Sequence, residues 1–204
     1  MTIGARLAST AAQHHISGMI APPVPRSPPR PPVGRAVLAT WLVTAAWDFV
    51  CASALGVFAY GATFSRFWQG VAAVAFGPTV LEMGARGVAA GLALHLLVAL
   101  TWSAAFVFVV ARSVALQRVL ARRSGALLVA AGYGPIIWLV MSLAVIPVAT
   151  GKLPTFGFRW WVQVVAHVPF VALPLVFTAR RTLGVGTERR TATVARGAEL
   201  GVSL

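Results

Sequence analysis

The sequence predicts an all-α polytopic membrane protein, a bundle of four transmembrane helices. Hydrophobic residues make up 58% of the chain and charged residues 10%, and the mean hydropathy is +0.82, outside the range of ordinary soluble domains. No segment shows the two-residue alternation of a membrane β-strand. Four segments reach the roughly 20 apolar residues that a helix needs to cross about 30 Å of hydrocarbon. These spans 1 to 4 are residues 36–60, 87–111, 125–149 and 160–179.

A shorter apolar stretch, residues 71–81, lies between spans 1 and 2. It is too short to cross a bilayer, and Gly77 and Pro78 interrupt it. Irregular backbone is tolerated at membrane depth only where protein or water covers it. We therefore predict a short interfacial or re-entrant helix on the outer face.

Both ends of the chain differ in composition from its middle. The segment "APPVPRSPPRPPVGR" ends at Arg35, and its prolines fix φ and lack backbone donors, which disfavours helix and sheet. The sequence therefore predicts a disordered Pro/Arg-rich cytoplasmic tail over 1–35, a four-helix transmembrane domain over 36–180, and a flexible basic C-terminal tail over 181–204. The N-terminal region lacks the apolar core of a signal peptide, so we expect span 1 to remain in the mature protein.

Basic residues alternate between the two sides of the predicted bundle. Thirteen lie before span 1, between spans 2 and 3, or after span 4, whereas Arg66, Arg86, Lys152 and Arg159 lie on the other side. The positive-inside rule then places both termini in the cytoplasm of a bacterium, with the bundle in its inner membrane. We expect the net charge of +13 to meet anionic lipids on that side, and not nucleic acid, because no compact basic domain carries it.

Three ionisable side chains fall inside the predicted spans at similar depth. At 1.5 Å per residue, Asp48 and His95 lie about 12 Å from the outer edge and His167 lies about 10 Å from it. The indole of Trp138 is predicted at the same level. An ionised Asp at the centre of a span costs about 2.5–3.5 kcal/mol, and an imidazole can compensate for it. We therefore predict an intramembrane polar cluster of these four residues.

Small residues recur every fourth position on the faces that carry the cluster. Because residues four apart share a helix face, such a row lets two backbones approach closely and marks the packed side of a transmembrane helix. The residues predicted to pack helices in this way are Ala52, Gly56, Gly87, Gly91, Ala130 and Gly134.

Three functions are compatible with such a cluster. We expect first a structural or accessory subunit that packs against lipids and either another membrane protein or a second copy, since buried polar contacts commonly pair helices. The alternative is a proton or small-solute transporter using the Asp/His cluster. The third is a haem- or chlorin-binding subunit with His95 and His167 as ligands.

Other chemistry is less well supported. A divalent metal at Asp48, Cys51 and the two histidines is a weaker alternative, since cysteine inside a span usually serves packing, and we predict no metal. The sequence has no nucleophile elbow, phosphate-binding loop or paired carboxylates. We therefore predict that the protein is not an enzyme.

Five segments of the chain together resemble a known group of proteins. They are "AAWDFVCASALGVF", "FWQGVAAVAFGP", "GVAAGLALHLLVAL", "AAGYGPIIWLVMSLAVIPV" and "VVAHVPFVALPL". Over residues 36–180 the chain resembles a family of small uncharacterised bacterial four-span inner-membrane proteins. Its pattern is an Asp in span 1, Gly-x-x-x-His in span 2, and His-x-Pro in span 4. The chain departs from it where Ala73 to Gly77 read "AVAFG" and lack a serine. The resemblance implies topology and leaves the activity open.

Overall fold

The computed structural model describes residues 32–186, and this part of the chain is all-helical. Of the predicted tails, 1–35 and 181–204, the parts 1–31 and 187–204 lie outside the described residues. Within these residues, four helices are long and apolar enough to cross a membrane, which confirms the predicted fold class. They are span 1, Val33–Ala59, span 2, Ala85–Arg112, span 3, Arg123–Thr150, and span 4, Phe158–Thr182.

The first and last residues of the transmembrane domain differ slightly from those predicted. Span 1 begins at Val33, directly after Pro32, and so takes up three residues that the sequence assigned to the tail. A proline before the first helical residue costs nothing, because the first turn has no partner for its N–H groups. Span 4 continues to Thr182, two residues beyond the predicted domain.

An amphipathic helix, Phe64–Phe76, lies between spans 1 and 2. It begins earlier than the predicted 71–81, because the Thr63 side chain accepts a hydrogen bond from the Arg66 N–H at 3.2 Å and caps the first turn. It ends at Gly77, whose φ of +79° suits glycine. A 3₁₀ turn, Pro78–Glu82, then leads to span 2.

Span 1 packs against spans 2 and 4, and span 4 also packs against span 3. A connecting helix, Val114–Leu120, joins spans 2 and 3. It lies at what we name the arginine-rich end of the bundle. The amphipathic helix lies at the opposite end and packs against spans 1 and 2. The described residues that give the arginine-rich end its charge are Arg35, Arg112, Arg118, Arg122, Arg123, Arg180 and Arg181.

The apolar core fills the arginine-rich half of the bundle. Its largest members are Phe106 of span 2, Leu120 of the connecting helix and Leu175 of span 4, all at most 4% exposed. The guanidinium of Arg180 donates to the Ala121 carbonyl at 3.0 Å and ties the end of span 4 to the connection between spans 2 and 3. This half is therefore closed by packed side chains.

Three spans contain a π-helical turn: Leu55–Ala59 in span 1, Met141–Val145 in span 3 and Val168–Ala172 in span 4. Prolines explain two of them, because Pro147 follows the turn in span 3 and Pro169 lies within the turn in span 4, where each removes a backbone donor. Such turns occur often at functional sites.

The small residues predicted to pack helices meet different partners. A Cβ on Gly87 or Gly91 would overlap backbone carbonyls of the 3₁₀ turn and the amphipathic helix, so these glycines face that segment and not another span. Gly56 of span 1 makes room for the ring of Phe67, which belongs to the amphipathic helix. Ala130 is fully buried in the core, and Gly134 lies against the backbone of span 4.

Gly91→Ala is expected to destabilise the protein, because its methyl group would overlap the carbonyl of Trp68, a backbone atom that cannot move without the helix. Overpacking of this kind costs about 1–3 kcal/mol. Thermal unfolding in detergent measures the effect. Gly70→Ala is the control, since Gly70 has open space around it and alanine favours helix by about 1 kcal/mol. Equal melting temperatures for the two variants would contradict the close approach.

Candidate intramembrane polar site

The four side chains of the predicted polar cluster lie on the wall of one internal cavity. The cavity has a volume of about 140 Å³, and all four spans contribute to its wall. Asp48 comes from span 1, His95 from span 2, Trp138 from span 3 and His167 from span 4. The remaining wall residues are Thr44, Val98, Ala99, Trp102, Ile137, Met141, Ile146 and Val171.

His95 lies between two oxygen atoms of span 1. Its Nδ1 is 3.7 Å from Oδ2 of Asp48, longer than a direct hydrogen bond. Its Nε2 is 3.3 Å from the carbonyl oxygen of Ala45. The imidazole ring is 12% exposed and the carboxyl 27%, so both groups have little contact outside the bundle.

This geometry restricts how Asp48 and His95 share protons. A neutral imidazole has one N–H and cannot donate to two acceptors, whereas an imidazolium can. With Nε2 donating to the Ala45 carbonyl, the pair is neutral overall either as an imidazolium beside a carboxylate or as an imidazole beside a carboxylic acid. Both forms hold the same number of protons and have no net charge. Loss of that proton would leave an uncompensated carboxylate inside the span, which is costly.

His167 has a defined tautomer when it is neutral. Its Nδ1 lies 2.7 Å from the carbonyl oxygen of Gln163, one turn earlier, and a carbonyl only accepts, so Nδ1 carries the hydrogen. The Nε2 lone pair is then left for a group in the cavity. The ring packs against the indole of Trp138 with 5.1 Å between centroids, which holds its plane.

Two further polar groups on the cavity wall lack partners among residues 32–186. They are the indole N–H of Trp138 and the hydroxyl of Thr44, which is 1% exposed. Buried polar groups in proteins are normally hydrogen-bonded to protein or water. The wall thus offers a carboxyl and an imidazole acceptor to a polar occupant, whereas the Thr44 hydroxyl and the Trp138 N–H are covered by neighbouring atoms.

A second, smaller cavity of about 20 Å³ adjoins the same side chains. Asp48 and His167 line both cavities, while Leu55 and Gln163 line only the smaller one, nearer the opposite end of the bundle. Cys51 also lines it. Asp48 and His167 therefore stand between the larger cavity and the opposite end.

Tyr60 and Arg159 lie beyond the smaller cavity at the opposite end. The guanidinium of Arg159, one turn before Gln163, is 4.7 Å from the centre of the Tyr60 ring, a cation–π contact. Burial raises the pKa of the Tyr60 phenol above its ordinary value, and the charge of Arg159 opposes this shift only in part. Tyr60 therefore stays protonated at neutral pH.

Trp68 and Gln69 belong to the surroundings of the site and were missed at the sequence level. Trp68 is 1% exposed, lies edge-on to the His95 ring at 5.2 Å, and donates to the Ser53 hydroxyl at 3.2 Å. Gln69 donates to the Gly84 carbonyl at 3.1 Å and fastens the helix to the start of span 2. The available signal was the amphipathic pattern of residues 64–76.

The cavity does not fit the haem or chlorin considered for His95 and His167. Sites for large organic ligands have volumes of about 300–1,000 Å³, and this cavity has about 140 Å³. Within residues 32–186 no three His, Cys, Asp or Glu side chains are grouped so that they could hold a metal ion. A few water molecules or one small polar solute are the occupants of suitable size.

Comparisons with known proteins add nothing to this geometry. No family model, curated protein or solved structure matches the chain. The resemblance to a four-span bacterial family stays a prediction, and a functional argument depends on the residues around the cavity.

Proposed function

We propose that this protein transports protons or a small polar solute across the membrane. The observation that carries the proposal is that Asp48, His95 and His167, from three different spans, line one cavity of about 140 Å³. Ionisable side chains inside a membrane are costly, and in proteins they commonly mark proton or solute pathways. Transport was the second function expected from the sequence.

The contacts favour transport over a purely structural role for the cluster. Side chains that only join helices should bond each other directly, yet the nearest approach of Asp48 and His95 is 3.7 Å. The indole N–H of Trp138 and the hydroxyl of Thr44 have no partner in the described part of the chain. The side chains of Asp48 and His167 line the cavity, where an occupant can bind them.

In the proposed mechanism, Asp48 and His95 hold one proton between them. His167 offers its Nε2 lone pair as a second proton acceptor, and the polar wall binds the solute. The packed core closes the arginine-rich half, so release on that side requires the spans to move. The π-helical turns of spans 3 and 4, which include Met141 and Val171 of the cavity wall, are suited to such movement.

We further propose that the protein lies in the inner membrane of a bacterium with both termini in the cytoplasm. The arginines of the described residues support this orientation, because those of the arginine-rich end outnumber the basic residues at the opposite end. The smaller cavity would then face the outer side. Anionic lipids would meet the arginine-rich end.

Reconstitution into vesicles tests the proposal. A pH gradient imposed on vesicles that contain an internal pH dye should collapse faster with wild-type protein than without protein, and Asp48→Asn should abolish the difference. Thr101→Val is the control, because Thr101 is exposed and its hydroxyl bonds only the Leu97 carbonyl of its own helix. A wild-type flux equal to that of empty vesicles, or an unchanged flux in Asp48→Asn, would refute a proton pathway through Asp48.

An accessory-subunit role is the second candidate. The connection between spans 3 and 4 exposes large apolar side chains outside the membrane-crossing helices, with Leu153 86% and Phe156 61% exposed. Such a surface fits another membrane protein or a second copy. Purification from native membranes in mild detergent tests this role: a partner in constant stoichiometry that Leu153→Ser removes would support it, and a protein that purifies alone would refute it.

A further inference from the structure

A groove on the outside of the bundle runs between spans 2 and 3 in the arginine-rich half. Its volume is about 360 Å³, and exposed side chains such as Val109 and Leu128 lie along it, so it opens to the surroundings of the bundle. Apart from the bound hydroxyl of Tyr133, described below, the side chains that line it are apolar or aromatic. The groove shares only Trp102 with the wall of the polar cavity and takes no part in the proposed transport.

Small residues and satisfied polar groups make this groove. A Cβ on Gly132 would find no atom within 4 Å, so the missing side chain leaves open space in the wall. The Tyr133 hydroxyl donates to the Trp102 carbonyl at 3.0 Å, and the rings of Phe106 and Tyr133 pack at 4.8 Å. The floor therefore offers hydrocarbon contact and no free polar atom of Tyr133, which suits an apolar occupant.

Four arginines lie close in the chain to the residues at the end of the groove. Leu116 of the connecting helix lines that end, and Arg118 follows it by two residues. Arg112 ends span 2, Arg122 directly precedes span 3, and Arg123 begins it. All four are exposed, and none has a carboxylate within ion-pair distance in the described part of the chain. Clustered cations beside the bilayer attract anionic lipid headgroups.

We propose that this groove binds one acyl chain of an anionic phospholipid, whose phosphate is held by Arg118, Arg122 and Arg123. The groove has a volume of about 360 Å³ and an apolar lining, which suits a single acyl chain. Arginine binds phosphate through paired N–H donors. The apolar groove thus matches the acyl chain of a phospholipid, and the nearby arginines, which have no carboxylate partner in the described part of the chain, match its phosphate.

Lipid add-back to purified protein tests the proposal. After delipidation in detergent, native mass spectrometry should show wild-type protein retaining one phosphatidylglycerol in preference to phosphatidylcholine. Gly132→Phe, whose Cβ has open space around it and whose ring would fill the groove, should reduce retention at least tenfold. Arg118→Gln/Arg122→Gln should remove the preference for the anionic lipid. The matched controls are Leu127→Phe, exposed on the same helix, and Lys152→Gln at the opposite end.

The outcomes separate this groove from general lipid adsorption. Loss of phosphatidylglycerol in Gly132→Phe but not in Leu127→Phe supports the groove. Equal retention in all variants, or equal retention of both lipids by wild-type protein, overturns the proposal. So does a wild-type dimer that Gly132→Phe converts to a monomer, because a second copy would then be the occupant. Proton flux is measured separately, so either proposal can fail alone.

Discussion

His95→Phe is expected to lower the stability of the purified protein at neutral pH more than the double change Asp48→Leu/His95→Phe. Removing one partner of a buried charge pair leaves the other uncompensated, at a cost of about 3–5 kcal/mol when burial is complete. The Asp48 side chain is 27% exposed, so we expect about 2–3 kcal/mol, allowing for this partial screening. The double variant removes both charges and should regain most of this loss. Thermal unfolding in detergent measures all three proteins.

The same variants carry a pH test with a defined sign. With His95 absent, the Asp48 carboxylate has no compensating charge, and protonation of the carboxyl removes the need for one. The deficit of His95→Phe relative to the double variant should therefore be largest at neutral pH and should shrink as the pH falls. Phe106→Leu, a change in the apolar core, is the control whose deficit should not depend on pH. An equal deficit at pH 5 and pH 7, or a double variant less stable than the single one, would contradict the shared proton.

This comparison distinguishes a pair that stabilises the bundle from a pair that is kept for function. Replacing a buried ion pair with apolar residues is often neutral or stabilising. A double variant that folds as well as wild type but carries no proton flux would show that stability does not require Asp48 and His95. The proposed transport would then explain why the two groups lie beside a cavity.

The fold could be predicted because membrane crossing depends on length and composition. A helix must supply about 20 apolar residues to cross the hydrocarbon, and the four segments that do so correspond to the four spans. The errors lie at the ends, at Val33 and Thr182, where helical residues continue into the interface. The π-helical turns were not predicted, because a single inserted residue leaves no mark on hydropathy.

The depth argument for Asp48, His95 and His167 follows from the rise of a helix per residue, and the structure places all three on one cavity wall. Their mutual orientation could not be predicted, since the rotation of each helix depends on packing. Trp68 shows why: it reaches His95 only because the turn at Gly61 and Ala62 brings the amphipathic helix back against span 2. The assignment of Nε2 as the donor atom of His95 likewise depends on its contact with the Ala45 carbonyl. That contact has no sequence signature.

Gly134→Ala is expected to destabilise the protein and to disturb the site at a distance. A Cβ at this position would lie 2.8 Å from the backbone of His167 and Val168, and backbone atoms cannot rotate away. Spans 3 and 4 would have to separate at the height of the cavity. Overpacking costs about 1–3 kcal/mol, and the shift would move the His167 ring relative to Trp138. We expect a lower melting temperature and a reduced proton flux in the protein that remains folded.

Gly132→Ala provides a closely matched comparison, because Gly132 lies two residues earlier on the same helix and has no atom within 4 Å of an added Cβ. Both substitutions gain the same helix propensity, about 1 kcal/mol, so their difference isolates the contact with span 4. Gly132→Ala should keep or raise the melting temperature and leave the flux unchanged. If the two variants unfold at the same temperature, span 3 does not approach His167 closely at Gly134. If Gly134→Ala lowers stability but not flux, the position of His167 is not critical for the movement of protons.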